Sequence, residues 1–221
     1  PAEGDEVWAV FGGWQLGFVN DLADADALRT AIRQALDALG GLDVLVHNAS
    51  VLNVDERVSD RQFDLMYAVN TRATLVLGQT CARALEDSTI GAMVSLSPPI
   101  RLGRLEWIAA NPGYTLSKYG MTLATLGMAS TKVRASCLWP ARTVATAATK
   151  RLEETGVLPG AHTHGRSPTH VAEAIYALAL DPQRNGRAVL DDDVLTYTGD
   201  ALDAPLDAFV IDASAYDGFA H

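Results

Sequence analysis

Four short apolar runs punctuate this chain: Asp43-Val-Leu-Val-His47, Ala92-Met-Val-Ser-Leu-Ser97, Val133-Arg-Ala-Ser-Cys-Leu138 and Arg187-Ala-Val-Leu190. Stretches of helical periodicity separate them. Strands apolar along their whole length are buried on both faces, and a helix between successive strands is the crossover that parallel pairing requires. The pattern therefore predicts an α/β fold, a doubly wound parallel sheet covered on both faces, in one domain over residues 1–221. In 22–39, Leu28, Ile32, Ala35, Leu36 and Leu39 recur at helical spacing, and Gly40-Gly41 end the helix. Further helices are predicted over 60–86, 114–129 and 168–180, the last with Ser167 as N-cap and Pro168 at its first position. The run Asp191–Asp193 reads as a solvated turn.

The net charge of −10 argues against a nucleic-acid or anionic-membrane surface. No apolar run has the length of a membrane span, and no signal peptide is visible, so a cytoplasmic location is expected. Cys81 and Cys137 lie far apart and read as buried free thiols. The histidines show no metal-ligand spacing, and no metal is expected.

A parallel α/β sheet binds its ligand at the carboxyl ends of its strands. Asp21, Asn48-Ala49-Ser50, Ser97 and Pro140 through Thr146 fall there. Tyr114 and Lys118 lie four residues apart, one helical turn, so both leave the same helix face. An ammonium beside a phenol lowers its pKa, and such a tyrosine can exchange a proton with a substrate oxygen near neutral pH. Each residue also has a plainer role open to it. Asp21 and Asn70 suit helix N-caps, Asn48 a turn, Thr146 a helix start, and the Tyr/Lys pair an ordinary helix surface.

In sequence order the chain carries Asp21-Leu22, Asn48-Ala49-Ser50, Val69-Asn70, Ser97, Tyr114-x-x-x-Lys118 and Pro140-x-x-x-Val144-x-Thr146. That order resembles the short-chain dehydrogenase/reductase family over roughly residues 5–195. Ser97-Pro-Pro99, Gly113 through Met121, Leu126-Gly-Met-Ala129, Leu138-Trp-Pro140 and Leu190-Asp-Asp-Asp-Val-Leu195 look closest to its hydroxysteroid dehydrogenase-like protein two group. The resemblance implies a Rossmann-like fold and an NAD(P) cofactor, with NADP slightly favoured. It implies Tyr114 as general acid/base, Lys118 lowering its pKa and holding the nicotinamide ribose, and Asn70 anchoring a relay water. Ser97, seventeen residues before Tyr114, would hydrogen-bond the substrate oxygen. Asp21 and Leu22 would meet the adenine, Asn48, Ala49 and Ser50 the adenosine, and Pro140, Val144 and Thr146 the nicotinamide end. His47 stands where the family usually has an asparagine.

The family opens with a strand, a Gly-rich turn, a helix and a second strand. These are not visible here. Residues 5–11 read instead as the end of the second helix, with Gly12-Gly13 as its stop and Trp14–Val19 as the third strand. A sheet built that way has a gap between third and fourth strands, which predicts a natural upstream segment of roughly fifty residues outside the given sequence. The link at Ser130-Thr131 also reads as a few residues short. On the substrate side, Leu102, Leu105, Trp107 and Trp139 are candidate apolar walls, and 147–167, with Gly156, Pro159, Gly160 and Gly165, a mobile lid. A small, apolar carbonyl or alcohol substrate, fatty or steroid-like, is expected. Met121, Leu123, Leu126 and Met128 on the Tyr/Lys helix suit either a homodimer or homotetramer contact or the core. The rival from another class is a non-catalytic scaffold that kept the fold without a working dinucleotide loop.

Overall fold

The computed structural model describes residues 6–11, 14–19, 21–53, 57–99 and 105–195. Its centre is a four-stranded parallel sheet in the order β3 (Val44–His47), β4 (Ala92–Leu96), β5 (Arg134–Trp139) and β6 (Ala188–Leu190). The expected strands all form, within a residue or two of their sequence boundaries. Successive residues of β4 face opposite layers. Met93 packs with Leu28, Ile32, Val76 and Leu85 from α1 (Ala25–Leu39) and α3 (Ala73–Asp87). Val94 packs with Leu138, Val171, Ala174 and Leu178, the last three from α7 (Pro168–Leu180). The sheet is thus covered on both faces. Leu28, fully buried, is a position where truncation to Ala costs about 2–5 kcal/mol.

Local chemistry sets the helix ends. Asp24 caps α1 by accepting from the backbone N–H groups of Asp26 and Ala27, and Gly40 ends it at φ 74°, a left-handed conformation that favours glycine. Ser59 and Gln62 form a capping box at α2 (Asp60–Met66). Ser167 and Pro168 start α7 as expected.

The expected single helix over 60–86 is three segments. Between α2 and α3 lies a π-helical turn, Tyr67–Arg72, which re-aims the side chains that follow it. This turn packs on α5 (Pro112–Leu126), where a Cβ on Gly120 would come within 2.5 Å of Thr71 Oγ1. Thr71 Oγ1 donates to the Ser117 carbonyl at 2.8 Å.

Two expectations about the chain before α1 differ from the structure. Glu6–Phe11 is a strand, β1, and not a helix end; it pairs antiparallel with β2 (Trp14–Val19) from Glu6↔Val19 to Phe11↔Trp14. Residues 14–19 are a strand as expected, yet belong to this separate hairpin. A two-residue connection favours antiparallel pairing of neighbouring runs over insertion of one into a distant sheet. Among the described residues nothing pairs with the free side of β3.

Asp191 also departs from expectation. It is fully buried at the start of α8 (Asp191–Leu195), not in a solvated turn. Its carboxylate accepts from Ala141 N at 2.9 Å and pairs with Arg166 Nη1 at 2.9 Å. Asp192 and His170 lie beside it, and the Arg166 guanidinium pairs with both carboxylates. A buried carboxylate is tolerable because those partners replace water. Cys81 and Cys137 are free and buried, as expected. No helix among the described residues is long and apolar enough to cross a membrane.

Candidate functional site

The carboxyl ends of β3, β4 and β5 open on a cavity of about 260 Å³. Tyr114 and Lys118 come to it from α5, Ser97 from the end of β4, Asn48 and Ser50 from the segment after β3, and Pro140, Val144 and Thr146 from the turn after β5. These residues are scattered over a hundred positions, and the parallel sheet brings them to one edge.

The electrostatics within the cavity differ from expectation. Burial pushes the Tyr114 phenol above its ordinary value, and no charge opposes the shift. The Lys118 ammonium turns inward, donating to the Leu96 carbonyl at 3.1 Å and contacting Met121 Sδ at 3.5 Å. Burial lowers its pKa to about 8. The expected depression of the Tyr114 pKa by Lys118 is therefore absent from this geometry. Sharing a helix face set the direction of both side chains; the half-buried Leu96 carbonyl took the ammonium. Ser97 Oγ, also buried, donates to the Lys118 carbonyl at 3.1 Å.

Asn70 is fully buried within the π turn, with both amide hydrogens and its oxygen engaged. Its Nδ2 donates to the Val51 carbonyl and to Ser117 Oγ, both at 2.9 Å, and its Oδ1 accepts from Val51 N at 2.8 Å. It thus fastens the segment after β3 to α5. Ser117 Oγ in turn donates to the Tyr114 carbonyl at 2.8 Å. On the other side, Thr74 Oγ1 lies 2.6 Å from the Asn70 carbonyl and 2.7 Å from His47 Nδ1. Thr74 has one hydroxyl proton, and the carbonyl can only accept it, so His47 Nδ1 carries the proton of the other bond. Burial, with a lesser push from Lys118, drops the His47 pKa to about 3, which keeps the ring neutral. Its Nε2 is a buried acceptor without a partner among the described residues. The chain His47–Thr74–Asn70–Ser117 thus links β3 to the helix bearing Tyr114. Thr74 and Ser117 carry no individual sequence signal beyond Ser117's place between Tyr114 and Lys118.

Other expected residues stand apart from the cavity. Asp21 is exposed, its carboxylate closing a turn on Ala23 N at 2.8 Å. Leu22 and Ala49 join the core beneath α1. Trp139, a candidate cavity wall, is buried against Tyr119 and Leu190. Residues 100–104, with Leu102, lie outside the described residues, as do the side chains of Leu105 and Trp107. Thr146 caps α6 (Ala147–Glu154), accepting from Thr149 N. Leu152 and Leu158, in the segment expected to be a lid, line the cavity, as do Leu52 and Arg142. On α5, Met121 is buried while Leu116 and Leu123 are exposed.

Of the residues expected at the adenosine, Asn48 and Ser50 line the cavity, and Asp21, Leu22 and Ala49 do not. Those expected at the nicotinamide end, Tyr114, Lys118, Pro140, Val144 and Thr146, all line it.

The short chain dehydrogenase family model matches residues 6–156. The chain belongs to that family of oxidoreductases. It is 32% identical to hydroxysteroid dehydrogenase-like protein 2 of Xenopus tropicalis over 194 residues, 85% of this chain and 45% of the relative. The human protein of that name is 31% identical over 201 residues, 88% of this chain and 47% of the relative. The chain thus spans about half the length of these relatives. Among solved structures, a short-chain dehydrogenase from Mycobacterium thermoresistibile has TM-score 0.68 and 33% identity, covering 80% of this chain and 64% of that one.

Proposed function

We propose that the protein moves a hydride between NAD(P) and a carbonyl or alcohol carbon, with Tyr114 as general acid/base. The convergence of Tyr114, Lys118 and Ser97 with the turn at Pro140–Thr146 around one cavity carries this reading. NAD(P)H, when bound, would supply the hydride and become NAD(P)⁺. In the reduction the carbonyl carbon gains that hydride, the π electrons move onto oxygen, and Tyr114 gives the oxygen its phenolic proton. The raised phenol keeps that proton at neutral pH, which is the form a proton donor needs. Ser97 Oγ is a second donor to the developing oxyanion once it turns from the Lys118 carbonyl. Lys118 turned outward would meet the ribose and lower the Tyr114 pKa; in its inward position it braces β4. A homodimer or homotetramer formed through exposed Leu116 and Leu123 belongs to the same proposal.

Replacing Tyr114 with Phe should lower turnover roughly 10²–10⁴-fold with an unchanged melting temperature; full activity would refute the assignment. A second reading, a non-catalytic scaffold, draws on Asp21 and Leu22 being turned away from the cavity. Fluorescence titration with NADH and NADPH separates the two, since a scaffold without a working cofactor site binds neither.

A further inference from the structure

Lys118 and Arg142 are the charged groups lining the cavity, and both are cationic; no carboxylate among the described residues lines it. This is notable in a chain of net charge −10, whose surface field repels anions on average. Lys118 is spent on the Leu96 carbonyl. Arg142 is exposed and forms no hydrogen bond or ion pair with any described residue. The carboxylate that acts on it electrostatically, Asp192, is held by Arg166.

The backbone that carries Arg142 is fixed on both sides. Ala141 N donates to buried Asp191 Oδ1 at 2.9 Å, and the Thr143 carbonyl accepts from Arg166 N at 2.7 Å. A guanidinium held on a rigid turn at the rim of a cavity presents a planar fork of donors that matches a carboxylate or phosphate. Leu52, Leu152 and Leu158 give the same cavity an apolar wall.

From this juxtaposition we infer that Arg142 is a specificity-determining residue that binds the anionic end of an amphipathic substrate, making the preferred substrates oxo or hydroxy acids and not neutral carbonyls. The inference deepens the oxidoreductase reading and rests on it for the reaction, though not for the binding. The phosphates of the dinucleotide are the other possible source of the same chemistry, and the test separates them. Arg142 takes no part in bond making; its role is in binding.

The probes are the isomeric oxo-octanoates, each paired with its methyl ester, which has the same carbon skeleton and lacks the charge. Equilibrium binding to the full chain is measured by calorimetry, with and without NADH or NADPH, beside steady-state turnover. The wild-type protein should bind one or more acids in preference to the matching esters. Arg142→Gln should weaken acid binding and raise its KM roughly tenfold or more, leaving the ester and the dinucleotide affinities unchanged. Arg142→Lys should recover part of the loss. Equal affinity of acid and ester, or an equal loss for both in Arg142→Gln, overturns the inference. So does a loss confined to dinucleotide affinity, which would assign Arg142 to the cofactor. Arg142-dependent acid binding without turnover would leave this inference standing and sink the oxidoreductase reading. Turnover of neutral carbonyls without acid binding would do the reverse.

Discussion

The two flanks of the cavity are built differently. On the β5–β6 side, the turn 140–146 is held by several independent ties: Asp191 to Ala141 N, Thr143 to Arg166, Ala145 N to the Arg166 carbonyl at 2.8 Å, and Thr149 Oγ1 to the Val144 carbonyl at 2.7 Å. On the β3 side, the side chain of Asn70 ties both backbone groups of Val51 in the segment 48–53, and among the described residues β3 is an edge strand. One flank is preorganised by a buried ion pair and backbone ladders, whereas at Val51 the other is tied by the Asn70 amide. A site that must place a reacting group within tenths of an ångström benefits from the first kind of construction. The second kind suits a segment that adjusts to its ligand.

Breaking the braced flank should have the largest effect. Asp191→Ala leaves Ala141 N without its acceptor and takes one carboxylate from Arg166, which keeps Asp192. We expect a loss of about 3 kcal/mol by urea denaturation, with faster hydrogen exchange at Ala141, Ala145 and Arg166. Asn70→Ala removes both bonds to Val51 and the one to Ser117, for about 2–3 kcal/mol, and should accelerate exchange at Val51 while sparing Thr143–Arg166. If both variants loosened both flanks equally, the two sides would be a single unit and the contrast would fail.

At neutral pH the smallest effect comes from His47, which acts through a pH dependence. His47 has a folded pKa of about 3 against an ordinary 6.5, so the unfolded chain binds the extra proton between those values. Its contribution is present above pH 6.5 and is lost as pH falls toward 3, at about 1.4 kcal/mol per pH unit within the window. Lys118, lowered to about 8 from 10.5, gives the same sign higher up: stability from this group rises with pH between 8 and 10.5. His47→Gln should flatten the acid slope. An unchanged slope would mean that other groups set it.

The sheet was legible because its strands are apolar throughout and its helices carry caps at the expected places, Gly40 and Ser167 among them. The membership of the cavity was legible where residues follow strand ends. What escaped was set by competition between distant partners. Sequence spacing put Tyr114 and Lys118 on one face, yet a carbonyl from β4 decided where the ammonium went. Asp191 reads as solvated until Arg166, far away in the chain, is folded against it. The hairpin at 6–19 reads as a helix end followed by a lone strand, because pairing between neighbouring runs has no signature in either run alone.

The account rests on Tyr114 serving hydride chemistry in this cavity. The most direct measurement supplies NADH or NADPH deuterated at the nicotinamide C4 and follows the label by mass spectrometry. The account predicts deuterium on the carbonyl carbon of a reduced substrate with the wild-type chain and a roughly 10²–10⁴-fold slower transfer with Tyr114→Phe. Undiminished transfer by Tyr114→Phe, or binding of the dinucleotide with no transfer to any carbonyl probe, would contradict it.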